Sequence, residues 1–296
     1  MEILKLTSDT MFKAFMLSEN TKHFKAKFIH EITKIPEEDI IDAIYTSEEL
    51  KTTRKDEHTY RTDILVKIEG HIINIEMNET YYEGLFLKNH AYLEKINSEK
   101  YEKGESYING IRVMRINIDD FNHYKGNKLL YTFKMLEEET KEEEGSNIIS
   151  YHIDLSYMKG KCYNECKSEL EKLCLVFTNS KIEEKGDKYM EEAREEIERL
   201  SKDKDIIGLY DAELVEKKVW NTKMAYATKI GLEKGIKEGL EQGMKEGLEK
   251  GLEQGLEQGL EQGKREVALK MLEKNMEKSL IREITGLTDE EIEKLN

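Results

Sequence analysis

Cysteines, prolines and long apolar runs are all scarce in this chain, and each scarcity narrows what it can be. Three cysteines, Cys162, Cys166 and Cys174, are too few for a disulfide framework and fit a reducing compartment. Cys162 and Cys166 stand four apart and could share a helix face, but the histidine and fourth ligand of a zinc site are missing nearby. No stretch approaches the roughly 20 apolar residues that a membrane helix needs. The opening MEILKLTSDTMFKAF places Lys5, Asp9 and Lys13 where a secretory signal requires unbroken apolar sequence. The expectation is a cytoplasmic protein with no membrane segment. Pro36 is the only proline.

Cations are short as well. The 62 Asp and Glu outnumber the 47 Lys and Arg, leaving a net charge of −15. That balance argues against nucleic acid, whose phosphates are bound by Lys and Arg. The deficit is uneven, however. Residues 1–130 hold 23 acids and 19 bases, a net of −4, whereas residues 131–296 hold 39 and 28, a net of −11. A local basic surface on the first half therefore stays open. With hydrophobic and charged residues at 38% and 37% of 296, one packed domain with highly charged appendages is expected. The seven histidines are scattered and form no Ser-His-Asp grouping along the chain, so they read as ordinary structural or surface residues.

Apolar spacing predicts a helix over 8–33, with Ser8 or Asp9 as its cap and Phe12, Phe15, Met16, Phe24, Phe28 and Ile32 on its buried side. A strand is predicted at Asp39–Tyr45, followed by the polar loop SEELKTTRKDEHTY and a hairpin. A helix over 83–103, ended by Gly104, precedes a strand at Ile108–Ile118. Two further strands, Lys128–Met135 and Ile148–Leu155, flank an acidic loop, and from about 163 the chain reads as charged helix.

The hairpin, RTDILVKIEGHIINIEMN, carries the most chemistry. If Glu69 and Gly70 form its two-residue turn, Ile64 faces Ile75 and Val66 faces Ile73, making one apolar face. The other face opposes Asp63 to Glu76, Leu65 to Asn74 and Arg61 to Asn78. Like charges on directly opposed positions, roughly 5 Å apart, cost stability. Either water and Arg61 relieve that cost at a solvated edge, or a divalent cation with hard oxygen ligands does.

Asp, a gap of a dozen residues, and Glu-x-(Lys/Gln) on adjacent strands behind a helix is the pattern of PD-(D/E)XK nucleases. More narrowly, the chain resembles the recombination-promoting nucleases, a group of PD-(D/E)XK family transposases. TSDTMFKAF is similar to their Asp-x-x-Phe-Lys opening, and TDILVKIEGHIINIEMN to their Asp-Ile-x-Val and Asn-Ile-Glu-x-Gln strands. KGESYINGIRVMRINI is similar to their Gly-x-x-Tyr element, and a glycine-repeat tail completes the likeness. The resemblance implies an α/β, restriction-endonuclease-like αβββαβ core with a helical C-terminal extension. It implies metal-assisted phosphodiester hydrolysis of DNA, with Mg²⁺ as the metal and Mn²⁺ as a substitute. Asp63 and Glu76 fall on the metal-binding carboxylates, and the carbonyl of Met77 would be a further ligand. Asn78 falls where the family has Gln and the wider superfamily Lys, and Asp9 on an N-terminal acid that approaches the site. Asn78 is shorter than Gln and lacks the charge of Lys; of a Lys-Arg pair common after the hairpin, only Lys88 remains. Both departures point towards weakened activity, so a degenerate nuclease fold that binds DNA or protein is the alternative. Asp9 has a second reading as a plain helix cap, and Lys13, one turn on, reads as a surface lysine.

The implied divisions are a nuclease-like domain at 1–160, a helical extension at 161–228, a Gly-x-x-x repeat at 229–263 and a helical module at 264–296. The repeat spaces nine glycines four apart, from Gly231 to Gly263. Together they oppose helix formation by roughly 9 kcal/mol. Pairs such as Glu233/Lys237 and Glu241/Lys245 favour it. A helix that orders by homo-oligomerisation and a flexible spacer are both compatible with this pattern, as is an assembly protein whose function lies in the repeat. Beyond it, helix–turn–helix spacing surrounds Gly286, with an acidic second helix that argues against major-groove reading.

Overall fold

The structure, a computed structural model, describes residues 3–47, 49–50, 60–98, 111–143, 148–178 and 186–295. It divides into two compact units, Met1–Lys217 and Lys218–Asn296. Among the described residues, no helix is long and apolar enough to cross a membrane.

The first unit opens with two helices where one was expected. Helix α1 (Asp9–Leu17) is capped by Ser8, whose Oγ accepts from the N–H of Met11, and ends at Ser18. Helix α2 covers Lys22–Thr33. Hydroxyl groups make the break, by offering the backbone an alternative to the helical ladder. Ser18 accepts from the N–H of Asn20, and Thr21 donates to the carbonyls of Phe15 and Ser18. The buried ammonium of Lys25 then donates to the carbonyls of Met16 and Ser18 at 2.9 and 2.8 Å, satisfying the end of α1. Phe12, Phe15, Phe24 and Phe28 are fully buried here. Truncating any one to Ala should cost about 3–5 kcal/mol.

The strand predicted at Asp39–Tyr45 forms only in its last part. Pro36 and the acids Glu37, Glu38 and Asp39 suit the positive end of a helix, and α3 (Glu37–Ile40) forms there before β1 (Ile44–Thr46). The ends of the expected polar loop pair as β2 (Glu49–Leu50) and β3 (Tyr60–Arg61), a small separate sheet. The hairpin strands β4 (Ile64–Ile68) and β5 (His71–Asn78) take the predicted register, with Ile64 opposite Ile75 and Val66 opposite Ile73. Gly70 has φ +70°, the left-handed conformation that the two-residue turn demands.

Helix α4 (Leu85–Ser98) follows; Gly104, expected to end it, and residues 108–110 of the next predicted strand lie outside the described residues. Strands β6 (Arg112–Asp119), β7 (Leu130–Phe133) and β8 (Ile148–Asp154) complete a mixed six-stranded sheet ordered β1-β4-β5-β6-β8-β7. β5 with β6 and β6 with β8 run parallel, and the other pairs antiparallel.

The two sheet faces differ. One presents Ile64, Val66, Ile73, Ile75, Met114, Ile116, Ile118 and Ile153 to the main core, shared with α1, α2, α5 (Glu169–Thr178) and α6 (Lys188–Leu200). The other is apolar only around Leu65, Ile72 and Val113, where Leu93 and Ile96 of α4 pack. Beyond that patch it buries Asn74, Glu76, Asn78, Arg115, Asn117, Asp119, Ser150 and His152.

Helix α7 (Lys204–Glu273) runs through the whole glycine repeat. The expected Glu233/Lys237 pair is replaced by Lys229–Glu233 and Lys237–Glu241, each at 3.9 Å. In the second unit the end of α7 packs with α8 (Lys278–Thr285) and α9 (Asp289–Glu293) around Ala268, Met271, Ile281, Leu287 and Ile292. Gly286, at φ +71°, turns the chain between α8 and α9, and Thr288 with Glu291 caps α9. The predicted helix–turn–helix spacing is present.

Candidate metal centre and its buried polar network

Asp63 sits immediately before β4, held across the hairpin by its own carboxylate: Oδ2 accepts the N–H of Met77 at 3.0 Å. Its side chain is 17% exposed. Glu76, one residue back on β5, is 3% exposed, and Oε1 accepts from Nδ2 of Asn74 at 3.0 Å. Burial pushes the carboxyl of Glu76 up to about 8, and the nearby charge of Asp63 adds to the rise. Asp63 is raised too, by burial first, with Lys13, the Met77 N–H and Lys88 pulling the other way. Two carboxylates in one desolvated place are a source of repulsion that a proton or a cation relieves.

Asp9 does not cap α1; Ser8 does. Asp9 instead holds the ammonium of Lys13 at 2.7 Å, and the same ammonium lies 3.5 Å from Oδ1 of Asp63. Lys13 is therefore the link between the two acids rather than a plain surface lysine. The backbone N–H groups of Asp9 and Thr10 are bound by Glu213, at 3.0 Å each. From the other side, Lys88 of α4 acts electrostatically on both Glu76 and Asp63.

Asn78 is buried and committed. Its Nδ2 donates to Oδ1 of Asp119 at 2.8 Å. Oδ2 of Asp119 meets Nδ1 of His152 at 3.1 Å, and Nε2 of His152 lies 3.0 Å from Nδ2 of Asn117 and 3.1 Å from Oγ of Ser150. Asn89 of α4 donates to Asn117, and Arg115 donates through Nε and a terminal nitrogen to Ser150. Burial pushes the imidazole of His152 below its ordinary range and favours the neutral ring, against the pull of Asp119.

No Ser-His-Asp grouping is visible along the sequence, but the fold does assemble one, from Ser150, His152 and Asp119. It is not a hydrolytic triad: all three are buried, and the serine hydroxyl is covered by the Arg115 guanidinium rather than open to a substrate. The available signal is the alternation of polar residues in two strands of a parallel pair, Arg115, Asn117, Asp119 and Ser150, His152, Asp154. Such strands, covered on both faces, are ordinarily near-continuous apolar runs.

The donor set fits a hard cation. Mg²⁺ is commonly held by one or two carboxylates, with water completing its shell, which Asp63 and Glu76 supply without further acids. Among the described residues no cluster of three or more His, Cys, Asp or Glu converges, so Asp63 and Glu76 stand as a pair. Cys162 and Cys166 bracket a short 3₁₀ turn at Tyr163–Glu165 and gather no other ligand among the described residues.

Residues 6–228 match the family described as PD-(D/E)XK nuclease family transposase, and residues 261–296 match the Rpn/YhgA-like nuclease family, C-terminal HTH domain. No curated protein and no solved structure matches the chain. With the first match covering about three quarters of its length, the chain belongs to the PD-(D/E)XK nuclease family transposases.

Proposed function

We propose that this chain is a Mg²⁺-dependent DNA endonuclease, with Mn²⁺ able to substitute, acting in the cytoplasm in recombination or transposition. The observation that carries the reading is the placement of Asp63 and Glu76 together at adjacent strands, where burial, joined at Glu76 by the charge of Asp63, lifts both carboxyls above their ordinary range. Asp63, Glu76 and the Met77 carbonyl would hold the cation, which when bound polarises a phosphodiester and acidifies a water. Asn78, with Nδ2 held by Asp119, keeps Oδ1 as the atom to accept from a water. Lys13 and Lys88 bring positive charge towards the same acids from α1 and α4, in place of the lysine that Asn78 replaces. Asp9 acts through Lys13, steadying it against Asp63. The helix–turn–helix match supports DNA as the partner, although the first turn of α9 is acidic, with Asp289, Glu290 and Glu291. The repeat in α7 is read as the surface of a homo-oligomer.

The second reading is a degenerate nuclease fold that binds DNA or protein without turnover. It is favoured by the amide of Asn78 being tied to Asp119 and by the Lys13 ammonium beside Asp63. Nicking of supercoiled plasmid decides between them. Cleavage that needs Mg²⁺ or Mn²⁺, stops in EDTA and disappears in Asp63→Ala is the expected result. Metal binding by a folded protein with no cleavage would overturn the first reading and leave the second.

A further inference from the structure

The stretch FNHYKGNKLLYTFK, residues 121–134, holds three lysines and no acid, within a chain of net charge −15. It also carries the rings of Phe121, His123, Tyr124, Tyr131 and Phe133. Tyr81, three residues past Asn78, stacks on His123 with ring centres 4.5 Å apart and leans on Phe121 at 5.6 Å and Phe86 at 5.8 Å. Phe86 continues the cluster to Tyr124 and to the buried ring of His152, which Phe133 also meets edge-on. Rings recruited only to seal the polar network would turn inwards. Here Tyr81 is 43% exposed and Phe133 47%, and His123 is exposed as well.

The cluster is continuous with the metal centre. Its loops leave the sheet at the ends of β5 and β6, directly after Asn78 and Asp119. Lys88 joins the two places, its ammonium under the electrostatic influence of Tyr82, itself 48% exposed, and of Glu76. Lys125 and Lys128 are exposed between the rings, and Lys128 lies over Tyr131 at 4.7 Å. Aromatic faces interleaved with lysines bind bases and phosphates of a single strand at once. Bases within an intact duplex have no free face to offer.

We propose that this cluster is a stacking platform for unpaired bases, so that the strand delivered to Asp63 and Glu76 is single-stranded or locally unpaired DNA. The proposal rests on the nuclease reading for its substrate but not for its test. The full chain carrying Asp63→Ala, kept in EDTA, is titrated against a labelled single-stranded oligonucleotide and against the blunt duplex of the same sequence, read by fluorescence anisotropy. Binding of the single strand at least about tenfold tighter is expected, with Tyr81→Ala losing roughly tenfold or more and Tyr81→Trp retaining affinity. Circular dichroism establishes that each variant is folded. Equal or tighter binding of the duplex, tighter binding of the matching RNA strand, or indifference to Tyr81→Ala in a folded protein overturns the platform. If wild-type protein cuts duplex DNA without single-strand preference, the platform falls and the nuclease stands. Single-strand preference without any cleavage leaves the platform and removes the nuclease.

Discussion

The ammonium of Lys13 lies 3.5 Å from Oδ1 of Asp63 and 2.7 Å from Asp9. It neutralises part of the charge that Asp63 and Glu76 bring together, and on the proposed reading it would compete with a divalent cation for the same oxygens. Lys13→Met should therefore lower the melting temperature in EDTA, by a loss of about 1–2 kcal/mol for a half-buried pair. Added Mg²⁺ should raise it by more than in wild type, because its competitor is gone. Thermal melts with and without MgCl₂ read both effects. Equal Mg²⁺ responses in the two proteins would remove Lys13 from the site.

Glu76 gives a pH dependence with a definite sign. Its carboxyl is raised from 4.5 to about 8, by burial first and then by Asp63. The folded protein thus holds a proton that the unfolded chain releases near 4.5. The stabilisation is complete below that pH and is lost as pH climbs towards 8. Glu76→Gln has no such loss, so in EDTA it should be more stable than wild type at about pH 8.5 by a few kcal/mol, with about 5 kcal/mol as the ceiling, since each pH unit between the folded and unfolded titrations is worth about 1.4 kcal/mol. The difference should close near pH 4.5. Mg²⁺ at high pH should rescue wild type but not the variant, since the cation takes the place of the proton. Unfolding curves across pH test this, and parallel profiles for the two proteins would contradict it.

The polar network should be worth several ordinary hydrogen bonds. His152→Phe suits the aromatic surroundings of that side chain but strands Oδ2 of Asp119 and Nδ2 of Asn117, and leaves Oγ of Ser150 with Arg115 alone. A destabilisation of about 2–4 kcal/mol is expected in urea titrations. Because burial depresses the imidazole from 6.5, its contribution is intact above that pH and is lost as pH falls below it, the reverse of the Glu76 slope. The variant should therefore also shed part of the acid-side loss. A change under about 0.5 kcal/mol, the size of an ordinary surface substitution, would mean the network is loosely made.

How much of this is legible in the sequence varies with the range of the interactions. The hairpin is legible because period-2 alternation and a glycine turn fix its register locally, and with it the juxtaposition of Asp63 and Glu76. The break within 8–33 is hidden because Ser18 and Thr21 look unremarkable until their hydroxyls are seen taking backbone partners. At 39–45 the apolar content suggests a strand, but Pro36 and the acids that follow it carry more weight and start a helix. The network is invisible for a deeper reason. Asn117 and His152 are 35 positions apart and meet only because β6 pairs with β8 in parallel, a choice made by the whole sheet rather than by either strand. Lys13 is half legible: one turn after Asp9, it can be paired by spacing, but its reach to Asp63 depends on how α1 lies against the hairpin.

The glycine repeat can be tested by making it a better helix. On α7 each glycine of the repeat up to Gly259 is followed by a long apolar residue, and Leu240, Leu248 and Leu256 are 61%, 71% and 74% exposed. A Cβ added at Gly243, Gly247 or Gly251 meets nothing within 4 Å in the single chain. Replacing these three by Ala should therefore raise helicity, each by about 1 kcal/mol of propensity. If the repeat is a self-association surface, the glycines permit close approach of backbones, and the same substitutions should weaken the oligomer by filling that space. Sedimentation velocity of the full chain distinguishes the cases. A gain in circular-dichroism helicity with a smaller sedimenting species supports association through the glycine stripe. The same gain in helicity with the oligomer unchanged or strengthened would mean that the glycines are not at the contact.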